Sequence, residues 1–567
     1  RAIIKQLEQK QLIEPTFVSS PPSAASNLLK QDHLPLDQSQ QAAMDQIEHH
    51  GFNSYLLDGV TGSGKTEIYL QSIEKILRYD RQALVLIPEI SLTPQTEKRF
   101  RDRFNVPMVT LHSGLSDRQR LDAWMQAKTG QARIIMGTRS AIFTPLQSPG
   151  LIILDEEHDQ SYKQQEGFRY SARDLAVIRA HQENIPIILG SATPSLESLN
   201  NCDNQRYKHL VLSTRAGSAV QPDWRIVDLK AERVESGLAP STMAAIGTAL
   251  SNKQQALVFL NRRGFAPAML CHQCGWSAEC HQCDSRLTVH RARHRLICHH
   301  CDFQQRIPQQ CPSCQSQQLI PVGEGTERSE AFLQQSFPDS QVIRVDRDST
   351  RRKGAMQAVF DKVNSGEPCI LVGTQMLAKG HHFANVSLVA VLDADSGLFS
   401  PDFRGHERMG QLLTQVAGRS GRGEIRGQVF IQTHQPEHPL LELLMTQGYG
   451  DFARQLLSQR QLSQLPPFRH MALIRAESNR PDQAENFLRL ARQLAEQLCA
   501  PSPDLAYLGP LPAMMEKRAG RFRYVLQIDA EQRAGLQHLI AQLGPQLENH
   551  RDSRRLRWSI DIDPQEL

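Results

Sequence analysis

The sequence predicts an α/β protein with two tandem lobes, each built on a parallel sheet, followed by a small α+β domain. Three observations lead to this fold class. Short apolar runs alternate with helical stretches in two successive series, which is typical of parallel sheets covered on both faces. Eight of the 11 cysteines crowd into residues 271–314, inside the second series. The 567 residues are too many for a single hydrophobic core.

The first lobe is predicted over residues 34–215 and the second over residues 216–265 and 320–455. The predicted strands of the first lobe are SYLLDGV, ALVLIP, ARIIMGT, LIILDEE and IPIILGSAT. Those of the second lobe are QALVFLNRR, QVIRVDRD, CILVGTQ, SLVAVLDAD and GQVFIQTH. The cysteine module, residues 266–319, is expected to interrupt the second lobe after its first strand.

A strand–helix–strand–helix–strand order predicts the C-terminal domain, residues 456–567, with both helices on one face of a sheet. Its basic residues suggest a phosphate-binding loop that leads into a strand, with an ordinary solvated face as the competing interpretation. These residues are Lys517, Arg518, Arg521 and Arg523.

The bulk composition limits the possible classes of protein. The net charge is only +4, so any nucleic-acid surface has to be local. No run of about eighteen apolar residues predicts a membrane span. Paired cysteines without an export signal favour metal ligands over disulfides, and hence a reducing cytoplasm. Because the chain begins with Arg1, we expect an N-terminal part to be missing; residues 15–33, rich in Ser, Pro and Ala, are a predicted linker.

A glycine-rich motif, GVTGSGKT, lies between an apolar strand and a helix, the context expected of a phosphate-binding loop. Its glycines allow backbone N–H groups to surround phosphates at the start of a helix. Lys65 is expected to contact the β- and γ-phosphates of ATP, and the Thr66 hydroxyl to bind Mg²⁺. A glycine-rich turn without nucleotide is the weaker alternative. The predicted loop residues are Gly59, Val60, Thr61, Gly62, Ser63, Gly64, Lys65 and Thr66.

An acidic motif, DEEH, follows the apolar run LIIL, which places it at the carboxyl end of a buried strand. Asp155 is expected to hold Mg²⁺ through water, and Glu156 to orient and deprotonate the attacking water. Taken alone, the acidic strand end would be an ordinary solvated cap.

The cysteine spacing, CxxC-x5-CxxC-x14-CxxC-x9-CxxC, predicts two closed tetrahedral zinc sites with structural roles. We prefer a nested pairing, because sequential pairing would join two knuckles by only five residues. The inner set then has a zinc-ribbon spacing and comprises Cys280, Cys283, Cys298 and Cys301. The outer set comprises Cys271, Cys274, Cys311 and Cys314. Four neighbouring histidines are expected to be spectators: His272, His281, His299 and His300.

A segment directly after the acidic motif alternates aromatic and cationic side chains, a pattern that suits single-stranded DNA. The alternative is that its aromatic rings only pack the loop. Its residues are Tyr162, Lys163, Phe168, Arg169, Tyr170 and Arg173.

The motifs DEEH, GSAT and QVAGRSGR resemble those of the superfamily 2 helicases. Together with PEISLTPQ, the eight cysteines and GTQMLAKGHHF, they are similar to the replication-restart helicases of the primosome. The resemblance implies RecA-like lobes, and an ATP-dependent 3′-to-5′ DNA helicase that remodels stalled forks and initiates primosome assembly and replicative-helicase loading. The implied partners are single-stranded and forked DNA, single-stranded-DNA-binding protein and other primosome proteins, and the protein is expected to be a monomer. The resemblance also implies that residues 1–14 are the remnant of a winged-helix domain.

The resemblance also assigns individual residues. Gln40 would read adenine, although Gln41 is an alternative register, and Arg419 and Arg422 would reach the γ-phosphate. Gln415 and His158 would couple hydrolysis to lobe movement. The segment between Asp159 and Asp174 resembles the aromatic-rich loop that links DNA contact to hydrolysis. Further positions expected to touch DNA or nucleotide are Thr193, Thr374 and Gly380.

Two other functions use the same motifs differently. A translocase would move on duplex DNA without separating the strands, and unwinding of forked substrates distinguishes it from a helicase. A non-enzymatic primosome scaffold would not need intact Lys65, Asp155, Glu156 and Arg422.

Overall fold

The computed structural model describes residues 27–89, 94–214, 222–260, 269–281, 287–290, 295–298, 303–321, 326–345, 355–374, 377, 385–420, 426–518 and 520–566. The prediction of two parallel-sheet lobes, a cysteine-rich insert and a C-terminal α+β domain is confirmed. None of the helices in these ranges has the length and apolar character needed to cross a membrane.

The first lobe contains a seven-stranded parallel sheet in the order β3-β4-β2-β5-β6-β1-β7. Apolar side chains from its two faces form two buried clusters beneath the flanking helices. Its strands are β1 (Ser54–Gly59), β2 (Gln82–Leu86), β3 (Met108–Leu111), β4 (Ile134–Gly137), β5 (Pro149–Asp155), β6 (Ile187–Ser191) and β7 (Lys208–Leu212). Its helices are α1 (Gln38–Gln46), α2 (Lys65–Arg78), α3 (Pro94–Arg103), α4 (Asp117–Lys128), α5 (Ala172–Gln182) and α6 (Leu196–Asp203).

The second lobe begins with a strand that the sequence analysis missed, β8 (Asp223–Asp228). It lies at the edge of a six-stranded parallel sheet in the order β15-β16-β9-β17-β18-β8. The helix α7 (Pro240–Ser251) and the strand β9 (Gln255–Phe259) follow it. The cysteine module therefore interrupts the lobe after its second strand, and the expected position after the first strand is wrong.

Within the insert, two short antiparallel sheets are described. The first joins β10 (Met269–Cys271) to β14 (Leu319–Pro321), so that the start and the end of the insert lie side by side. The second contains β11 (Leu287–His290), β12 (Arg295–Cys298) and β13 (Gln304–Arg306). The β11–β12 pair is the hairpin between the inner cysteines.

The remaining elements complete the second lobe, whose sheet is covered by two buried apolar clusters. Its strands are β15 (Gln341–Val345), β16 (Cys369–Gly373), β17 (Val386–Val391) and β18 (Gln428–Thr433). Its helices are α8 (Thr326–Ser336), α9 (Ala355–Asn364), α10 (Asp395–Leu398), α11 (Gly405–Ala417), α12 (Pro439–Thr446) and α13 (Tyr449–Leu462).

The C-terminal domain has a four-stranded antiparallel sheet in the order β20-β21-β19-β22. The predicted order lacked β20, because its prolines and Gly509 are residues typical of turns. Register shifts along the β20–β21 pair accommodate them at this edge of the sheet. The elements are β19 (His470–Ser478), α14 (Pro481–Leu498), β20 (Leu505–Arg518), β21 (Arg521–Ala530), α15 (Arg533–Asn549) and β22 (Arg557–Ile562).

Candidate nucleotide site and its connections

The phosphate-loop motif forms the turn between β1 and α2. Gly62 and Gly64 have φ values of 85° and 79°, in the left-handed region that glycine adopts without strain. The Lys65 amine donates to the Gly59 carbonyl at 2.5 Å, so it lies across the loop. A side chain at Gly59 would collide with the Ser63 hydroxyl at 2.4 Å, so the loop needs glycine here to fold this tightly. The loop has the shape and donors that a nucleotide phosphate requires.

The glutamine that faces the loop is Gln40. Its amide donates to the Ser63 carbonyl at 2.8 Å, while Asp37 and Gln40 form a reciprocal cap at the start of α1. Gln41 is exposed and bonds to Asp45 instead. The structure thus places Gln40, and not the alternative Gln41, beside the phosphate loop.

Asp155 ends β5 beside the phosphate loop and is held from two sides. The Tyr69 hydroxyl donates to the Asp155 carboxylate at 3.0 Å. The Tyr162 hydroxyl lies 2.7 Å from the Asp155 carbonyl and 3.0 Å from the Leu86 carbonyl. Burial raises the pKa of Asp155 to about 6, and the charge of Glu156 adds to the rise while Lys65 opposes it.

Glu156 carries the second carboxylate of the acidic motif. Its Oε2 atom is buried without a hydrogen-bond partner among the described residues, and it lies 3.6 Å from His158 Nδ1. Its backbone φ is 48°, which is unusual for a residue with a side chain. A buried acceptor without a partner, next to Asp155, fits a site that binds Mg²⁺-nucleotide and a water molecule.

His158 connects the acidic motif with the GSAT motif and with the second lobe. Its Nδ1 atom lies 2.7 Å from the Ser191 hydroxyl at the end of β6. Its Nε2 atom accepts from the Gln415 amide of α11 at 2.5 Å and lies 3.4 Å from the Thr193 hydroxyl. One imidazole therefore touches both lobes.

The C-terminal end of α11 lies against the phosphate loop. A side chain at Gly418 would approach the Thr61 hydroxyl to 2.8 Å, so the two segments are already in close contact. Arg419 follows directly and is buried. Thr374 is half-buried just after β16. The predictions for Arg422 and Gly380 fall outside the described residues.

Glu157 was not singled out from the sequence, although it belongs to the acidic motif. Its buried carboxylate accepts from the Ser195 amide at 2.6 Å and the Ser198 hydroxyl at 2.8 Å, next to the GSAT motif. It also pairs with Arg173 at 3.3 Å, from the aromatic and cationic segment. The residue joins three motifs through one buried charge.

The aromatic and cationic segment differs from the prediction at three positions. Tyr162 is only 2% exposed, so it offers no face for a base. Lys163 is buried and pairs with Asp561 of β22 at 3.0 Å, and the Arg173 guanidinium is held by Glu157 and the Ser195 hydroxyl. Partners within the chain already occupy these three side chains, so they do not offer a free surface to DNA in this structure.

The other residues of the segment face outward. Phe168 is 76% exposed at the tip of the loop. Arg169 and Tyr170 are half-buried, and the Phe168 and Tyr170 ring centroids are 5.7 Å apart. The Lys163–Ser171 bridge closes the loop at its base.

The basic cluster of the C-terminal domain lies on the tight turn that joins β20 to β21. Lys517 and Arg518 are exposed, and the Lys517 amine lies 4.8 Å from the centre of the Phe522 ring. Arg523 pairs with Glu477 at 3.2 Å, while Arg521 is half-buried. The expected loop leading into one strand is corrected to a hairpin whose two strands both carry the charges.

Four thiols gather at the base of the insert. The sulfur atoms of Cys271, Cys274, Cys311 and Cys314 all lie within 4.8 Å of one another, as the four ligands of one zinc would. This grouping is the outer set of the nested pairing. Of the inner set, Cys280 is buried and Cys298 ends β12, while Cys283 and Cys301 fall outside the described residues.

His272 points away from these sulfurs and fastens the insert to the second lobe. Its Nδ1 lies 2.9 Å from His434 Nε2, and His434 Nδ1 lies 2.6 Å from the Asp395 carboxylate. The Gln435 amide also donates to the Gly275 carbonyl at 2.8 Å. His281 contacts the Phe303 ring, and His299 and His300 lie outside the described residues.

Comparisons with known proteins agree with this arrangement. A DEAD/DEAH box helicase family model matches residues 37–202, and a helicase conserved C-terminal domain model matches residues 313–424. The PriA DNA helicase Cys-rich region model matches residues 280–306, and the Primosomal protein N C-terminal domain model matches residues 461–565.

Two curated relatives are similar along nearly the whole chain. Replication restart protein PriA of Haemophilus influenzae is 47% identical over 575 residues, which cover 100% of this chain and 78% of the relative. The protein of the same name from Bacillus subtilis is 38% identical over 576 residues, which cover 99% of this chain and 71% of the relative.

Proposed function

Because this chain belongs to the PriA family of replication restart proteins, an ATP-dependent DNA helicase family, we propose that it unwinds forked DNA in the 3′-to-5′ direction at stalled replication forks. In this role it remodels the fork and initiates primosome assembly and loading of the replicative helicase. The observation that carries the motor assignment is the His158 imidazole, which contacts Gln415 of the second lobe while lying beside Asp155 and Glu156.

We assign the nucleotide chemistry to side chains at the cleft between the lobes. ATP with Mg²⁺ supplies the phosphoanhydride bond when it is bound. The phosphate loop and Lys65 would hold the phosphates, Thr66 and Asp155 would hold the cation, and the Glu156 carboxylate would orient and deprotonate water. Gln40, beside the phosphate loop, would read adenine, and Arg419 and Arg422 would reach the γ-phosphate from the second lobe.

The coupling of hydrolysis to movement follows the hydrogen bonds of the acidic motif. His158 connects Glu156 to α11, and Glu157 connects the GSAT motif to Arg173 at the base of the aromatic loop. A base bound at the exposed tip, near Phe168, would lie on the loop whose base carries Arg173, and Arg173 contacts the acidic motif through Glu157. Lys517, Arg518, Arg521 and Arg523 form a second, phosphate-binding surface on the β20–β21 hairpin.

The proposed partners are single-stranded and forked DNA, single-stranded-DNA-binding protein and the other primosome proteins. We propose that the protein acts in the cytoplasm as a monomer. The relatives are named replication restart proteins, which supports this assignment. We further propose two zinc ions per chain, one in the outer cysteine set and one in the inner set.

Lys65→Ala tests the nucleotide site, because it removes the charge that neutralises the phosphates and leaves the backbone-built loop intact. We expect ATP hydrolysis to be lost and binding of single-stranded DNA to be retained. Hydrolysis is measured with and without an oligonucleotide, and unwinding on forks of defined polarity. Lys75→Ala, an exposed lysine of the same helix, is the control.

ATP hydrolysis by Lys65→Ala at a rate near that of the wild type would contradict the assignment of the nucleotide site. Hydrolysis stimulated by duplex DNA without strand separation would identify a translocase instead of a helicase. A wild-type chain without any hydrolysis would leave the scaffold function.

A further inference from the structure

Phe143 forms an exposed aromatic surface together with two rings of the aromatic loop. It ends the 3₁₀ helix Arg139–Phe143 and is 54% exposed. Its ring centroid lies 4.9 Å from that of Tyr170, in an edge-to-face arrangement at 70°. Tyr170 in turn lies 5.7 Å from Phe168. Isolated exposed apolar residues are common, but three adjoining rings from two separate segments are not explained by chance exposure.

The backbone holds Phe143 in this outward position. Its neighbours in sequence, Ile142 and Thr144, are 3% and 4% exposed, so they anchor the turn in the core. The Ile142 carbonyl also accepts from the Arg179 guanidinium at 2.7 Å. Phe143 therefore stands on a rigid base, which lowers the entropy lost when a ligand stacks on its ring.

The turn and the aromatic loop are also tied to each other. Arg139, in the same 3₁₀ helix, donates to the Ser161 carbonyl at 2.8 Å and the Lys163 carbonyl at 3.1 Å. The loop cannot shift far from Phe143 without breaking both bonds. The base of the aromatic loop is thus held next to the turn that carries Phe143.

We propose that Phe143 is a DNA-contacting residue and supplies the third stacking ring for bases of single-stranded DNA. This inference rests on the proposed helicase function, since a single strand presents unpaired base faces. Aromatic side chains bind such faces without regard to sequence. The cations Arg139 and Lys163 already have partners within the chain, and Phe143 itself carries no charge, so its own contribution is stacking and not phosphate contact.

The test measures binding of a fluorescent oligothymidine and its stimulation of hydrolysis at several salt concentrations. We expect Phe143→Ala to weaken binding at least about fivefold, the loss that corresponds to one weak base–aromatic stack. The dependence of binding on salt should stay unchanged, since no phosphate contact is removed. Basal hydrolysis should also stay unchanged.

Three further variants separate stacking from general apolar contact. Phe143→Trp should restore binding, whereas Phe143→Leu should not. Leu121→Ala is the matched control, because Leu121 is 58% exposed on α4, apart from the three rings. Wild-type affinity for the oligonucleotide in Phe143→Ala or Phe143→Leu would contradict the role of Phe143 and leave the proposed helicase function standing. A wild-type protein that neither bound the oligonucleotide nor was stimulated by it would contradict both the role of Phe143 and the proposed function.

Discussion

Tyr69 acts on Asp155 through a single hydroxyl group. The ring occupies the space that a side chain at Gly190 would need, since a Cβ atom there would lie 1.6 Å from the Tyr69 hydroxyl. The glycine of the GSAT motif, the phosphate-loop helix and the acidic motif therefore fit together around one tyrosine. The packing explains why a glycine stands at the start of GSAT.

Tyr69→Phe should impair hydrolysis while leaving the fold intact. It removes only the donor, and a hydrogen bond to a charged group contributes about 1.5–3 kcal/mol. We expect the Mg²⁺ concentration for half-maximal nucleotide binding to rise about tenfold and kcat to fall, while the melting temperature falls by several degrees because a buried hydrogen bond is lost. Fluorescent-nucleotide titrations against Mg²⁺ measure the first effect.

Tyr55→Phe is the control for this substitution, because the Tyr55 hydroxyl accepts from the Glu48 amide away from the cleft. Equal Mg²⁺ requirements in the wild type and Tyr69→Phe would show that the hydroxyl does not position Asp155.

Individual residues differ in how far their surroundings could be predicted from the sequence. The places of Lys65, Asp155 and Glu156 follow from local motifs whose order along the chain is enough to locate them. The burial of Lys163 depends on Asp561, which lies far away in the sequence and is brought near only by the fold. Tyr162 and Phe168 are both aromatic residues followed directly by a cationic residue, yet Tyr162 is 2% exposed and Phe168 is 76% exposed.

At the level of elements, α6 and α11 join the lobes through buried charges. Glu197 of α6 lies 2.6 Å from Arg404, which precedes α11, and the Leu196 amide donates to Glu407 at 3.0 Å. Arg460 of α13 completes the cluster at 2.6 Å from Glu407. Burial favours the neutral acid at Glu197, but the guanidiniums of Arg404, Arg173 and Arg460 outweigh it and lower its pKa to about 2.

The low pKa of Glu197 makes stability depend on pH. Its folded pKa lies below the ordinary value of 4.5, so the ionised form stabilises the folded chain above about pH 5. This contribution is lost as the pH falls toward about 2. We expect the urea midpoint of the wild type to fall more steeply between about pH 5 and 3 than that of Glu197→Gln, which lacks the titrating group.

Glu197→Gln should itself be less stable at neutral pH, because it leaves the Arg404 charge buried without its partner. Asp80→Asn, at an exposed carboxylate, provides the control with an unchanged slope. Identical pH slopes in the wild type and Glu197→Gln would contradict the proposed role of the pair.

The strands of the three large sheets that the sequence did not predict share a position. β3, β7, β8 and β20 all lie at sheet edges. An edge strand can leave one side exposed, and it then lacks the continuous apolar run that identified β1, β5 and β6. β7, for example, alternates exposed and buried residues. The central strands, and hence the position of the site, were predictable because burial on both faces fixes their composition.

In the whole molecule, the C-terminal domain contacts both lobes. Asp561 of β22 is buried between Lys163 of the first lobe and Arg475 of β19, at 3.0 and 2.8 Å. Arg408 of α11 donates to the Gln565 carbonyl. The end of β22 thus lies where the aromatic loop, the second lobe and the C-terminal domain meet, and movement of any one of them changes contacts of the other two.

The zinc content tests the insert as a unit. We expect two zinc ions per chain, with Cys271→Ser and Cys280→Ser each losing one. Basal ATP hydrolysis should be retained in both, because the described cysteines lie outside the nucleotide cleft. Elemental analysis measures the metal, and Cys499→Ser, at an exposed cysteine outside the insert, is the control. Loss of both ions on either substitution, or one ion in the wild type, would rule out two independent sites.

The pairing of β9 with β16 also affects the order in which the second lobe folds. These neighbouring strands are separated by the whole insert, since the chain leaves β9 at Phe259 and returns at Cys369. Metal binding would fasten Cys271 to Cys314, which are 43 residues apart, and so shorten the loop that has to close. Loop-closure entropy grows slowly, by about 0.6 kcal/mol per doubling of length. Zinc should therefore speed refolding of the lobe by less than about threefold. An insert of this length between two neighbouring strands thus slows folding of the lobe only slightly.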